Sequence, residues 1–144
     1  MEQLALLAGG RTKGSSAGKK GVKRLTKSSK IIKTIIAAIE AKKGEKIVLL
    51  DLRKINEAVA DFFIICEAGN HPQIRAIADY VMDELQDRCA EKPYRQEGQK
   101  QMQWVLIDYV NVVVHVITPE LRRFYKLEDM WSDADCTEIG ASKK

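Results

Sequence analysis

The sequence predicts an α/β domain in which a mixed β-sheet is flanked by helices. Two kinds of segment alternate along the chain: runs in which apolar residues recur every three or four positions, and shorter runs of unbroken apolar residues. The first pattern indicates amphipathic helices, and the second is typical of strands covered on both faces. The 144 residues, 45% of them hydrophobic and 31% charged, are enough for one globular core.

The first helix is predicted from residue 30, where isoleucines recur at helical spacing as far as Ile39. Gly44 then acts as a stop signal. Apolar runs at residues 47–50 and 62–66 predict two buried strands.

A second helix begins at Asn70-His71-Pro72. Either Asn70 or His71 can cap it, and Pro72 suits the first turn. The residues expected to face the core share helical spacing; they are Ile74, Ile77, Ala78, Val81 and Leu85.

The second half of the chain predicts a hairpin followed by a third helix. Pro93 and Gly98 bracket a connection or short strand, and strands at 104–109 and 112–117 follow, joined across Val110-Asn111. Thr118 is the expected cap of the last helix, with Pro119 in its first turn. The apolar face predicted for that helix consists of Leu121, Phe124 and Tyr125.

Charge separates an N-terminal arm from the body. Residues 1–30 carry +7, which leaves −3 for residues 31–144. The arm has few large apolar side chains, so it cannot bury enough surface to offset its ordering entropy. We therefore expect a disordered basic arm at 1–29, the α/β domain at 30–132 and a polar C-terminal tail at 133–144.

Motifs for cofactors and metals are missing from the sequence. No glycine-rich phosphate loop is present in the sequence. Such a loop lies between a strand and a helix, and the glycines of the arm have no predicted strand before a helix. The two histidines and three cysteines lie too far apart to suggest a metal pair. Asp133 and Asp135 have the spacing of a nucleotidyl-transfer pair, but we interpret them as solvated acids of the tail. Neither a cofactor nor a metal is expected.

A nucleophilic site is the sharpest catalytic alternative, with Cys66 as nucleophile, His115 as base and Asp61 as orienting acid. Cys66 and His115 lie within apolar strand runs, however. A cysteine there is usually a small buried hydrophobe, and a histidine is usually structural. We therefore expect no catalysis from this set.

The cysteines also give no disulfide framework, which favours a reducing compartment. Residues 1–7 do not resemble a secretory signal, and no apolar run approaches the roughly 18–20 residues of a membrane helix. A cytoplasmic location without membrane attachment is expected.

Several motifs occur together in one order. They are Asp61 at the head of the run 62–66, Glu97-Gly98, Trp104, Asp108, the run 112–116, and the C-terminal set Arg122, Tyr125, Leu127, Glu128 and Trp131. In this order and spacing they resemble the RsfS/Iojap family of ribosomal silencing factors over residues 31–139.

The resemblance implies a non-enzymatic protein that binds the universal ribosomal protein fourteen of the large subunit, on the face where the small subunit docks. Steric exclusion of the small subunit would repress translation when nutrients are scarce. A fold similar to that of nucleotidyltransferases, without their catalytic acids, is also implied. The resemblance also implies that the free protein is a homodimer. Relatives in organelles act in assembly of the large subunit.

Carried over residue by residue, the resemblance implies that Trp104 contacts the ribosomal protein. A tryptophan at the start of a hairpin strand is typical of an interface hot spot; the alternative is a core tryptophan beneath a helix. Further contacts are expected from Asp108, Tyr109, Val112, Val114, Asp61 and Glu128. Structural roles are expected for His115, Arg122, Tyr125 and Trp131, with Arg122 pairing an internal acid.

The hairpin departs from the family pattern. Val110 stands where the family usually has glycine, and valine resists the positive φ that a tight turn requires. A wider turn or a turn of another type is therefore expected between the hairpin strands. The start of the second helix departs as well, since His71-Pro72 replaces a serine-containing start.

Two other functions remain open. One is a factor for assembly of the large subunit, including an RNA-binding mode through the basic residues 11–30 that contacts rRNA phosphates. The other is a diverged enzyme related to nucleotidyltransferases.

Overall fold

The computed structural model contains one six-stranded mixed sheet and three helices among residues 25–26, 28–55, 58, 60–126, 129 and 133–139, which are the residues it describes. The strands are β1 (Glu45–Asp51), β2 (Phe62–Glu67), β3 (Arg95–Glu97), β4 (Trp104–Asp108), β5 (Val112–Ile117) and β6 (Asp135–Ile139). The helices are α1 (Lys30–Ala41), α2 (His71–Cys89) and α3 (Pro119–Tyr125). The predicted α/β class with a mixed sheet is confirmed.

The sheet has the order β3-β4-β5-β2-β1-β6. β2 and β5 are parallel, and every other neighbouring pair is antiparallel. All residues of the two central strands are buried, as the unbroken apolar runs predict. One face of the sheet packs against α1 and α2, and the other against α3 and the segment around Leu52 and Ala60.

The two longer helices follow the sequence prediction closely. α2 begins where the Asn70 side chain accepts a hydrogen bond from the backbone N–H of Gln73 at 2.8 Å, and it ends at Ala90 in the left-handed conformation. Its buried residues are the five that were predicted. Among the described residues, no helix is long and apolar enough to cross a lipid bilayer.

Two predictions for the C-terminal part are wrong. Residues 135–139, assigned to a polar tail, form the edge strand β6 against β1. The strand hydrogen-bonds through its backbone while its side chains, Asp135 among them, lie mostly in solvent, so the polar composition concealed it. Phe124, assigned to the apolar face of α3, is 74% exposed.

Most of the predicted basic arm, residues 1–24 and Lys27, lies outside the described residues. The part that is described leads directly into α1. Leu25 there packs against the core beneath α1 and α2.

Gly44 sits where the chain turns closely past the end of α1. Its N–H donates to the Ile39 carbonyl at 2.9 Å, and a Cβ at Gly44 would lie 2.4 Å from Ile39 Cγ2. Ile39 is buried and cannot move aside freely. We expect Gly44→Ala to lower the free energy of unfolding by about 1–3 kcal/mol, as measured by chemical denaturation.

Gly69 provides the matched control, because a Cβ there meets no atom within 4 Å. Gly69→Ala should change the free energy of unfolding by less than about 0.5 kcal/mol. Equal effects of the two substitutions would contradict the close approach at Gly44.

Candidate functional site

The predicted contact residues on the β4–β5 hairpin do not form an exposed patch. Trp104, Asp108, Val112 and Val114 are fully buried, and Tyr109 is only 7% exposed. Tyr109, Val112 and Val114 belong to the core beneath α1 and α2, whereas Trp104 belongs to the core on the other face. Successive residues of a strand point to opposite faces of the sheet, and these side chains are divided between the two faces, so one patch cannot contain them all. The structure thus corrects that expectation.

Trp104 is a core residue beneath a helix, the alternative weighed from the sequence. Its indole Nε1 donates to Nδ1 of His115 at 3.1 Å. Its ring lies 5.1 Å from that of Tyr125 on α3. This buried hydrogen bond and ring contact tie the hairpin to the last helix.

His115 is held neutral by its surroundings. Burial lowers the pKa of His115 to about 3. Its ring also lies 4.8 Å from that of Phe63. Since Nδ1 accepts from Trp104, the neutral imidazole carries its proton on Nε2. His115 therefore serves as a structural acceptor, as the resemblance implied.

The turn between β4 and β5 is built around Val110, which has a φ of 74°. The N–H of Asn111 donates to the Tyr109 carbonyl at 2.9 Å, the i to i+2 hydrogen bond of a γ-turn. Oδ1 of Asp108 accepts from the Val110 N–H at 2.8 Å. The loop remains two residues long, because the Tyr109 N–H donates to the Val112 carbonyl at 2.9 Å. Its γ-turn is of another type than the usual hairpin turns, but it keeps the positive φ that valine disfavours.

Asp61 lies beside this turn and is 2% exposed. Its N–H donates to the Asn111 carbonyl at 2.9 Å, and its own carbonyl accepts from the Leu52 N–H at 2.8 Å. These bonds join the start of β2 to the turn, so the backbone of Asp61 has a structural role.

Arg122 pairs an internal acid, as expected. Its Nη1 lies 3.3 Å from Oε1 of Glu67 at the end of β2, and it donates to the Lys46 carbonyl at 2.7 Å. Lys46 has a φ of 49° within an irregular stretch of β1. Arg122 therefore fixes α3 to two strands at once. The remaining predicted residues, Glu128 and Trp131, lie outside the described residues.

The nucleophilic alternative is not supported by the geometry. Cys66 belongs to the core beneath α1 and α2, whereas His115 contacts Trp104 and Phe63 on the opposite face. Burial raises the pKa of Cys66 to about 12, which keeps its sulfur protonated. Across the described ranges, no group of three His, Cys, Asp or Glu side chains is arranged to hold a metal ion.

The feature that sequence reasoning missed is an exposed aromatic on α3. The ring of Phe124 meets that of Tyr125 edge-on at 4.8 Å, and Tyr125 in turn meets Trp104. Arg122 is the buried residue of the helix. Because an α-helix turns by about 100° per residue, Phe124 points about 200° away from Arg122. Arg122 was expected to pair an internal acid, but the apolar pattern alone still placed Phe124 on the buried face of α3.

The strain at Val110 gives a test of the turn. A non-glycine residue at positive φ costs about 1–3 kcal/mol, and the extra backbone freedom of glycine costs about 0.4–1 kcal/mol. We expect Val110→Gly to raise the free energy of unfolding by about 1 kcal/mol, measured by chemical denaturation. Val110→Ala retains a Cβ and should show no such gain. A loss of stability with glycine would contradict the strained turn.

His115 predicts a pH dependence of stability. Its pKa falls from about 6.5 in the unfolded chain to about 3 in the fold. As the pH falls, the unfolded state therefore binds the proton first. The stability contributed by keeping His115 neutral is fully present above pH 6.5 and is lost as the pH falls towards 3. The loss approaches about 1.4 kcal/mol per pH unit.

His115→Asn keeps a side-chain acceptor but does not titrate. Denaturation curves at pH 7, 6, 5 and 4 should therefore show a shallower loss of stability for this variant than for the parent chain. Parallel pH profiles for the two chains would rule out a buried neutral His115.

Known proteins resemble this chain in sequence and in fold. The family described as "Ribosomal silencing factor during starvation" (RsfS) matches residues 25–144. A ribosomal silencing factor from Halalkalibacterium halodurans is 37% identical over 112 residues, which cover 78% of this chain and 94% of that protein. A crystal structure of a protein from Chromobacterium violaceum superposes with a TM-score of 0.67 at 32% identity, covering 71% of this chain and 83% of that one.

A more distant relative comes from mouse. It is named "Mitochondrial assembly of ribosomal large subunit protein 1" and is 28% identical over 74 residues, which cover 50% of this chain and 32% of that protein. The relative from H. halodurans, in contrast, aligns over 94% of its length. With the family match spanning the entire described domain, the chain belongs to the ribosomal silencing factor (RsfS) family.

Proposed function

We propose that this protein binds the large ribosomal subunit through ribosomal protein fourteen and prevents the small subunit from joining. Membership in the silencing-factor family is the observation that carries the proposal. The bound domain acts by occupying space, so it lowers translation under nutrient limitation without a catalytic step. We place this action in the cytoplasm. A scaffold related to the nucleotidyltransferase fold, but used only for binding, fits the same role.

The contact surface that best fits this role is the outer side of α3. Among the described residues, the exposed large hydrophobic side chains are Tyr94, at 71%, and Phe124, at 74%. Phe124 is supported from below by Tyr125 and, through it, by the buried Trp104. An aromatic held rigidly at the surface loses little conformational entropy on binding, which is typical of an interface anchor.

A recess beside the start of α3 extends this surface. It has a volume of 320 Å³ and lies against the partly buried Leu121. Its remaining lining residues are Gly69, His71, Gln103, Thr118 and Glu120. An apolar anchor next to a recess with polar walls matches the usual anatomy of a protein interface.

Trp104 acts in this proposal as a positioning residue. Because it is fully buried, Trp104→Ala would create a cavity costing about 3–5 kcal/mol, so a loss of binding would report on folding. The exposed Phe124 allows a cleaner test.

Co-sedimentation with purified large subunits tests the contact. We expect Phe124→Ala to weaken binding about tenfold or more, since truncating an interface anchor costs about 2 kcal/mol or more. Tyr94→Ala, at the other exposed aromatic, should bind like the parent chain. Circular dichroism should show intact folding of both variants, because both side chains lie mostly in solvent.

Equal binding by all three chains would place the contact elsewhere. Absence of binding by the parent chain would overturn the proposed function itself. Isolated ribosomal protein fourteen should compete with the large subunit for the parent chain, and failure to compete would remove that protein as the partner.

Assembly of the large subunit is the second candidate function, favoured by the name of the mouse relative. The two roles separate when the protein is added to mature, separated subunits. A silencing factor reduces the formation of complete ribosomes in a sucrose gradient, whereas a pure assembly factor leaves it unchanged. We also propose that the free protein is a homodimer, which must part or rearrange if its interface overlaps the ribosomal one.

A further inference from the structure

A groove of 630 Å³ lies between α1 and α2. One wall is formed by residues of α1 at helical spacing: Lys30, Lys33, Thr34, Ala37, Ala38 and Ala41. The other wall is formed by residues of α2 four positions apart: Tyr80, Glu84 and Arg88. The α1 wall runs for about 16 Å at the helical rise of 1.5 Å per residue.

Positive charge dominates this groove. Lys30 and Lys33 are both exposed on the α1 wall. On the α2 wall, Nε of Arg88 lies 2.6 Å from Oε1 of Glu84, so the acid is already neutralised. The rest of the Arg88 guanidinium, whose side chain is 66% exposed, keeps donors for another anion. Nζ of Lys42 lies 4.8 Å from the centre of the Tyr80 ring.

The α1 wall next to these charges carries small side chains. Ala37 and Ala41 are exposed and small, so their side chains leave room for an extended polymer backbone to approach α1. These alanines offer little apolar area to an amphipathic protein helix, which would need larger hydrophobic contacts to dock. The groove thus favours a partner that is recognised by charge along its length.

The groove also continues the charge of the N-terminal segment. Residues 1–30 carry +7, and Ser28, just before α1, lines the groove. A segment and a groove of the same sign cannot bind each other well, but both attract one polyanion. A polyanion that lies along the α1 wall would meet Lys30 and Lys33 on one side and Arg88 on the other.

We propose that the α1–α2 groove binds the phosphate backbone of single-stranded rRNA, with Lys30, Lys33 and Arg88 as the phosphate contacts. This inference rests on the proposed function, because it supplies an RNA contact to a protein that docks on the large subunit. It adds a second surface, separate from the outer side of α3.

Fluorescence anisotropy of a labelled 12-nucleotide oligouridine with the full chain tests the groove. Each phosphate contact contributes about −0.7 to the slope of log K against log salt for a single strand. The double variant Lys30→Gln/Lys33→Gln should therefore flatten the slope by about 1.4 and weaken binding about tenfold or more at low salt. Ala37→Glu, which places a carboxylate at an exposed position of the α1 wall, should also weaken binding.

The matched control is Lys54→Gln/Lys100→Gln, which removes the same charge from exposed positions outside the groove. It should change the slope much less than the groove variant does. Equal effects of the two double variants would show diffuse attraction and overturn the groove as a site. So would the absence of oligouridine binding, or tighter binding of an oligoglutamate of equal length.

The two proposals fail separately. If the parent chain binds oligouridine but does not sediment with large subunits, the proposed function fails and the RNA groove stands. If subunit binding depends on Phe124 while oligouridine binding is insensitive to Lys30 and Lys33, the groove fails alone.

Discussion

The parallel pairing of β2 with β5 is the constraint on which the rest of the structure depends. Both strands are buried along their whole length, so every polar side chain on them needs an internal partner. His115 finds Trp104, and Glu67 finds Arg122. Leaving one member of such a pair unsatisfied costs about 1–3 kcal/mol. The central strands thereby determine where the hairpin and α3 are attached.

These internal pairs explain why the residues that resemble the silencing-factor family lie inside the protein. Strands β4, β5 and β1 are connected to α3 through Trp104, His115, Arg122 and Tyr125, and Asp108 holds the turn at Val110. Their shared task is to set the position of the outer side of α3. These residues thus identify the architecture of the domain, whereas an exposed neighbour such as Phe124 has no comparable motif in the sequence.

The sequence predicted the central strands and α2 well because their signals are local. Unbroken apolar runs, a capping Asn70 and a helical stripe each depend on residues close together in the chain. β6 gave no such signal, since an edge strand gains its backbone pairing from β1 and leaves its side chains in solvent. An internal acid was expected for Arg122, but its identity as Glu67, 55 residues earlier, was equally hidden. The apolar pattern of α3 therefore still placed Phe124 on the buried face, whereas the structure exposes it.

The position of β6 in the sheet affects the folding of the chain during its synthesis. Asp51 pairs with Asp135, and 84 residues separate them in sequence. At synthesis rates of about 5–20 residues per second, roughly 4–17 s pass between the emergence of β1 and that of its outer neighbour. During that interval one edge of β1 has no strand to pair with, and an unpaired edge invites association with other chains. A protein that acts on ribosomes is therefore most vulnerable to aggregation while it is itself still attached to one.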